Sequence, residues 1–135
     1  MSRRLAAGLL LLGLTGPLAG RAAEAGVTVT PRFAQALANL PGQRLSAVEV
    51  EVAPGAASAP HHHAGSVYVY VLAGTIRLGL GGEAPKLYRA GESFFEPPGS
   101  THAVSENPSK TEAARLLAVF VAPDGAELTT VGAAK

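Results

Sequence analysis

The sequence predicts an all-β fold, in the form of a single small β-barrel. The chain has 135 residues, a length that suits one domain. It contains 16 glycines and 10 prolines but only 5% aromatic residues. Short apolar segments of alternating polarity are separated by Gly, Pro and Asn turn signals at intervals of roughly 8–12 residues. About eight such strands can close into a barrel with room for one small ligand.

Strand patterns run through most of the chain after residue 26. The segment VTVT is β-branched, whereas the RFAQALANLPG that follows shortly after it is ambiguous between an irregular and a helical arm. In LSAVEVEV the three valines share one face and the two glutamates share the other. The remaining strand segments are SVYVYVLAG, TIRLGLGG, KLYRAG, ESFFEPPG, THAVSEN and ARLLAVFVAP. We therefore expect an N-terminal strand or arm at 26–43, a barrel at 44–122 and a weakly patterned tail at 123–135.

The first 25 residues have the plan of a secretory signal peptide. A basic start, MSRR, precedes the apolar run LAAGLLLLGLTGPLAG, and the small residues Ala23 and Ala25 suit a signal peptidase. The glycines and the proline within the run argue against a stable membrane anchor. We expect cleavage after Ala25 and export to the periplasm or out of the cell.

Loss of this leader changes the charge of the chain. The full sequence has 11 Lys and Arg against 10 Asp and Glu, and the leader contains three of the arginines and Glu24. The mature chain then has 8 basic and 9 acidic residues, a net charge near −1. No basic patch is evident, so nucleic acid is not an expected partner. The sequence has no cysteine, which excludes a disulfide and a lipidated cysteine anchor.

Three of the four histidines are consecutive, at the start of an apolar strand. In an extended chain His61 and His63 point to one side and His62 to the other. Two imidazoles on one face can direct ring nitrogens at one metal ion, and imidazole suits Zn, Fe, Cu, Ni and Mn. A surface loop without a metal is the alternative, because a short histidine tract alone is only a compositional hint.

The strand after the histidines, SVYVYVL, is apolar on both faces. Its valines continue the face of His61 and His63, and its tyrosines occupy the other face. We expect the tyrosines in the core or in a homodimer interface. In ESFFEPPG the two phenylalanines alternate, so that one lines the cavity while the other packs outside. The candidate pocket-lining residues are Val67, Val69, Val71, Phe94 and Phe95.

Two stretches resemble the motifs of the cupin family. PGAASAPHHHAGSVYVYVLAGTI is similar to the first motif, with Gly55, His61, His63 and Gly74 in register. GESFFEPPGSTHAVSEN is similar to the second, with Gly91, Pro97, Gly99 and His102 in register. The resemblance covers residues 44–122. It implies a double-stranded β-helix, or jelly roll, in which His102 joins His61 and His63 on one metal.

The sequence departs from the family pattern at two positions. Val67 stands where the family has a glutamate ligand, and Glu106 stands where it has an asparagine, with Asn107 one residue later. Three readings follow. The metal could be held by the three histidines alone, which is a workable set for zinc. Glu96 could supply the missing carboxylate from a neighbouring strand, or it could face solvent or cap the turn. The site could also be degenerate and bind no metal.

With a metal bound, the predicted pocket suits a small organic molecule that chelates it. Iron would favour a dioxygenase-like enzyme, and zinc or manganese an isomerase- or decarboxylase-like one, whereas nickel and copper are further candidates. The alternative is a non-catalytic module that binds a small molecule or a metal. We expect a homodimer, because the second face of SVYVYVL is apolar.

Overall fold

The computed structural model describes residues 24–133, which form ten β-strands. The predicted leader therefore lies outside the described residues, apart from Glu24 and Ala25. The strands are β1 (Val27–Ala36), β2 (Gln43–Val52), β3 (His61–His63), β4 (Ser66–Ala73), β5 (Thr75–Leu80), β6 (Lys86–Arg89), β7 (Ser93–Glu96), β8 (Thr101–Glu106), β9 (Ala114–Pro123) and β10 (Thr129–Val131). Within residues 24–133 no helix is long and apolar enough to cross a membrane.

The strands form two five-stranded sheets, and every pairing is antiparallel. The first sheet has the order β1-β2-β9-β4-β7, and the second has the order β10-β3-β8-β5-β6. The inner faces of the two sheets enclose one apolar core, in which Ile76 of β5 packs with the buried residues of the first sheet. The predicted all-β class is confirmed, and the architecture is a double-stranded β-helix.

Alternation of polarity positions the central strand of the first sheet. In β4 the buried residues are Val67, Val69 and Val71, each less than 5% exposed. The intervening Tyr68 and Tyr70 point outward and are 46% and 37% exposed. The expected faces of this strand are therefore observed. Its outer face is not buried within the chain, so the tyrosines are not core residues.

A turn at Gly74 joins β4 of the first sheet to β5 of the second. Its φ is +71°, and a Cβ placed there would lie 2.4 Å from the carbonyl oxygen of Ala113. A side chain would therefore collide with backbone, which explains why glycine occupies this position. The turn returns the chain from the first sheet to the second.

The N-terminal segment is a strand for most of its length, and the helical alternative is wrong. β1 extends to Ala36 and pairs with β2 along its whole length, with an irregularity between Pro31 and Phe33. Partnering by β2 outweighs the weak local pattern of RFAQALANLPG, because an edge strand gains its hydrogen bonds from its neighbour. The turn that follows is closed by a hydrogen bond from Leu37 N–H to the Gln43 carbonyl.

The C-terminal segment differs from the expected weakly patterned tail. Thr129–Val131 forms β10, which pairs in register with the histidine strand β3. Three residues are too few to show a period, so sequence patterning gives no signal for this strand. β3 and β10 are the two strands beyond the expected set of about eight, so that count is too low for residues 24–133.

Candidate metal centre

The three imidazoles predicted to share a site lie together at one end of the second sheet. β3 and β8 are neighbours, and His61 stands directly opposite His102 in their register. The candidate ligand nitrogens of His61, His63 and His102 all lie within 4.8 Å of one another. His62 points away, and its Nδ1 contacts the carbonyl oxygen of Gly132 at 2.8 Å. The separation of His61 and His63 from His62 follows the alternation of an extended strand.

Backbone carbonyls fix the orientation of two of these rings. Nδ1 of His61 lies 2.8 Å from the carbonyl oxygen of Ala59, and Nδ1 of His63 lies 3.0 Å from that of Leu128. A carbonyl oxygen can only accept, so both Nδ1 atoms carry the proton and donate it. The Nε2 atoms of both rings are left with a free lone pair, which is the form of imidazole that binds a metal.

Burial keeps these two imidazoles uncharged. It lowers the pKa of His63 from 6.5 to about 4, against an opposing attraction from Glu96. Burial also lowers the pKa of His61. Both rings are therefore neutral near pH 7, and no proton has to be removed from them before a metal binds.

A buried carboxylate completes the cluster. Glu96, at the end of β7, is 2% exposed. Its Oε2 lies 2.5 Å from Nε2 of His102 and 3.5 Å from Nε2 of His63. The strand register puts Glu96 directly opposite Val67 on β4. A carboxylate is thus present one strand away from the position where the sequence has Val67 in place of a glutamate.

His102 differs from the other two histidines in the ring nitrogen that makes its hydrogen bond. Its Nε2 donates to Glu96, and its buried Nδ1 has no hydrogen-bond partner among residues 24–133. The ring can therefore move its proton to Nδ1 without losing an existing Nδ1 contact. After that shift His102 and Glu96 would both present lone pairs toward the other Nε2 atoms, and the donor set fits a divalent cation.

The cluster lies on the wall of a cavity between the two sheets. The volume of this cavity is about 140 Å³. Apolar residues of β1, β2, β4 and β9 form most of the wall opposite the imidazoles. They are Val27, Val29, Val48, Val50, Val52, Val67, Val69, Leu116, Ala118 and Phe120. The wall of the cavity is therefore mostly apolar, and its polar side chains are those of the histidine cluster with Glu24, Ser58, Ser105 and Thr129.

Two of the predicted pocket-lining residues lie elsewhere. Phe94 lines the cavity, whereas Phe95 is 56% exposed on the outer face. Val71 is fully buried in the core and is not part of the cavity wall. The placement of Phe95 in the pocket was wrong because alternation directs only one of two adjacent residues inward. That of Val71 was wrong because the cavity ends before that level of the strand.

Sequence reasoning missed several residues of this region. Glu24 lines the cavity, and its carboxylate accepts a hydrogen bond of 2.7 Å from Ala59 N–H. Ser58, Ser105, Thr129 and Val131 also contribute to the wall. These residues come from connections and short strands, where no period of polarity marks an inward side chain.

Asn107, one residue beyond the expected motif position, stabilises the fold through hydrogen bonds to the backbone. Its side chain is buried and its Nδ2 donates to the carbonyl oxygens of Val52 and Glu112, at 3.0 and 2.8 Å. Its Oδ1 accepts from Ser109 N–H at 3.0 Å. Asn107 thus fastens the end of β2 to the segment that follows β8, and it is not among the donors of the histidine cluster.

Comparisons with known proteins agree with this architecture. Residues 48–120 match the Cupin domain family. An RmlC-like cupin from Shewanella frigidimarina is 25% identical with a TM-score of 0.58, over 74% of this chain and 79% of its own. A double-stranded β-helix protein from Klebsiella pneumoniae has a TM-score of 0.63 at 19% identity, over 83% and 89% of the two chains, and shows the fold alone.

One similar structure is that of an enzyme. A recombinant oxalate oxidase in complex with glycolate is 26% identical with a TM-score of 0.59. The alignment covers 78% of this chain but only 55% of the oxidase. No curated protein matches the chain. The family match spans more than half of the sequence and contains both histidine motifs, and the fold agrees with it, so this chain belongs to the cupin family.

Proposed function

We propose that this protein binds one divalent metal ion through His61, His63, His102 and Glu96. The observation that carries the proposal is the orientation of the rings. Backbone carbonyls hold the Nδ1 protons of His61 and His63, which leaves their Nε2 atoms as acceptors, and that of His63 lies 3.5 Å from the carboxylate of Glu96. Iron, manganese, zinc, nickel and copper all accept such a donor set.

Glu96 supports the proposal by its charge and burial. Three neutral imidazoles bring no charge to offset a dication, whereas a carboxylate brings one. Burying an ionised carboxylate is costly unless a cation or strong hydrogen bonds compensate it. The contact with His102 supplies part of that compensation, and a metal ion would supply more.

The proposed activity is that of a metal-dependent enzyme on a small organic substrate, either dioxygenase-like or isomerase- and decarboxylase-like. A bound metal would supply Lewis acidity or, if redox-active, oxygen chemistry. The chain itself would contribute a cavity with a mostly apolar wall beside the cluster. The similarity to an oxalate oxidase in complex with glycolate supports an enzyme whose substrate is a small molecule with oxygen donor atoms.

A binding module without a catalytic metal is the second candidate. The contact between Glu96 and His102 supports it, because the carboxylate already has a hydrogen-bond partner within the protein. Val67 in the place of a glutamate ligand supports it as well.

Metal content decides between these candidates. The protein would be purified without a tag from its own cells, beside a His61→Ala/His63→Ala double variant and a matched His62→Ala control. We expect near-stoichiometric metal in the native protein and in the control, and at least a hundredfold weaker binding in the double variant. If all three proteins are folded and none holds metal, the metal centre is refuted and the binding module is favoured.

Export to the periplasm or the outside of the cell is also proposed, with cleavage after Ala25. The support is the leader pattern of residues 1–25. Cleavage there would remove Glu24, and with it the carboxylate that accepts from Ala59 N–H. Mass spectrometry of the secreted chain would give the new N-terminus. A chain that keeps Met1 would contradict the proposal.

A homodimer through the outer face of the first sheet completes the proposed assembly. One row of side chains crosses all five strands in register on that face: Phe33, Ala47, Val119, Tyr68 and Phe95. Three of them are large and about half exposed, which is unusual for a free surface. Light scattering should give the mass of two chains for the native protein and of one chain for Tyr68→Lys. A native monomer would refute the dimer.

A further inference from the structure

The charges around the cavity are unbalanced in sign. Glu24 and Glu96 are the acidic residues of its wall, and no lysine or arginine among residues 24–133 contributes to that wall. The basic side chains of the wall are the three imidazoles of the cluster. Proteins that hold small dianions normally supply a guanidinium or an ammonium group to pair with the second charge.

We propose that the ligand of this cavity is a largely apolar small molecule with at most one negative charge, and that oxalate-like dianions bind weakly. The inference rests on the proposed metal centre, since the ligand is taken to reach the metal through oxygen. It goes beyond the likeness to an oxalate oxidase, because it predicts a different class of ligand for this chain.

Charge balance is the first argument for this ligand. A divalent metal with the Glu96 carboxylate leaves one positive charge in a site whose wall is mostly apolar. A monoanion would neutralise that charge, whereas a dianion would leave an excess negative charge with no cation to meet it. Interactions between charges are stronger beside such a wall than in bulk water. In a chain that keeps Glu24, the carboxylate of that residue in the wall would repel a dianion further.

The shape and chemistry of the wall are the second argument. Opposite the histidines, Val29, Val50 and Phe120 present only hydrocarbon to the cavity. A ligand of two carboxylates has little apolar surface with which to cover them. The cavity of about 140 Å³ is close in volume to the engineered apolar cavity of about 150 Å³ that binds benzene, so it can hold a body of several carbon atoms.

Two probes with the same mode of chelation test the inference. Benzohydroxamic acid and oxalate both chelate through two oxygens, but the first carries an aromatic body and at most one negative charge. The protein would be loaded with Co²⁺, and metal content measured first. Each probe would then be titrated at pH 7, with the visible absorption of the cobalt as the readout. Free Co²⁺ under the same conditions gives the reference affinities.

We expect the protein to shift the affinity ratio toward benzohydroxamate by at least tenfold relative to free Co²⁺. An unchanged ratio, or a shift toward oxalate, would overturn the inference while leaving the metal centre intact. Failure of the protein to retain cobalt would overturn both, since the ligand would then have no metal to reach. The metal content tests the metal centre and the absorbance titration tests the ligand class, so the two failures are distinguishable.

A pair of lysine variants on β10 tests the charge argument alone. Val131 belongs to the cavity wall and is 57% exposed, whereas its exposed neighbour Thr130 is not part of the wall. Val131→Lys should strengthen oxalate binding by about tenfold, because it adds the missing cation. Thr130→Lys should change it by less than about twofold. Equal effects of the two lysines, or no gain in either, would refute a charge-based exclusion of dianions.

Discussion

The two sheets of the barrel differ in how their inner faces are built. The first sheet has three strands of ten residues and one of eight, and its inner face is almost wholly apolar. The second has strands of three to six residues and holds all three clustered histidines. Glu96, at the end of β7, is the carboxylate by which the first sheet reaches the cluster.

This difference assigns stability mainly to the first sheet and the chemistry of the site mainly to the second. Nine of the eleven buried hydrophobic residues within 24–133 belong to β2, β4 and β9, so the first sheet contributes most of the apolar burial that stabilises the fold. The short strands of the second sheet bury less, and their imidazoles are oriented instead by carbonyls of Ala59 and Leu128, which lie in connections. The comparison predicts that a change of pH alters the free energy of unfolding through the histidines of the second sheet. Core substitutions should alter it through the first sheet.

The largest expected effect is on the stability of the metal-free protein at acidic pH. His63 takes up a proton near pH 6.5 when unfolded but only near pH 4 when folded. Between these values the unfolded state binds more protons, so the free energy of unfolding decreases as the pH falls and is unaffected above about 6.5. The total loss is on the order of 3 kcal/mol.

Urea unfolding at a series of pH values from 7 to 4 measures this effect. His63→Gln removes the titrating ring, so its stability should change less over the same range. Equal pH dependence in both proteins would show that His63 is not the responsible group.

The next largest effect concerns Asn107, whose buried side chain fastens the end of β2 to the segment that follows β8. Asn107→Ala removes the amide that donates to the carbonyl oxygens of Val52 and Glu112. We expect a loss of about 2–3 kcal/mol in the free energy of unfolding. Thermal unfolding measures it, and a loss below about 1 kcal/mol would contradict the structural role assigned to Asn107.

A cavity in the core of the first sheet should affect stability without affecting the metal. Val71 is fully buried and lies away from the cavity wall. Val71→Ala should lower the free energy of unfolding by about 2 kcal/mol. Metal affinity, measured by competition with a chelator, should stay within about threefold of the native value. A large loss of affinity would show that the two sheets are more tightly coupled than the comparison implies.

The smallest expected effect is that of a surface ion pair of the second sheet. Arg77 and Glu106 lie 2.8 Å apart, and both side chains are more than a third exposed. Glu106→Gln should change the free energy of unfolding by less than about 0.5 kcal/mol. This variant is also the adjacent control for Asn107→Ala, and a loss as large as that of Asn107 would contradict the assignment of stability to burial.

Much of the fold was predictable because it depends on local alternation. The period of two in SVYVYVL decides which side chains enter the core, and the structure agrees for Val67, Tyr68 and Val69. The spacing of His61 and His63 likewise decides that they share a side. Alternation gives no depth along a strand, which is why Val71 was assigned to the cavity and lies in the core instead.

The sequence by itself determined the all-β class, the family motifs and the three histidines of the candidate site. Only the tertiary structure decided that Glu96 faces them, that Phe94 rather than Phe95 lines the cavity, and that Thr129–Val131 pairs beside His61–His63. The physical reason is the range of the contacts. Alternation is a property of neighbouring residues, whereas strand register and turn geometry bring together groups that are distant along the chain.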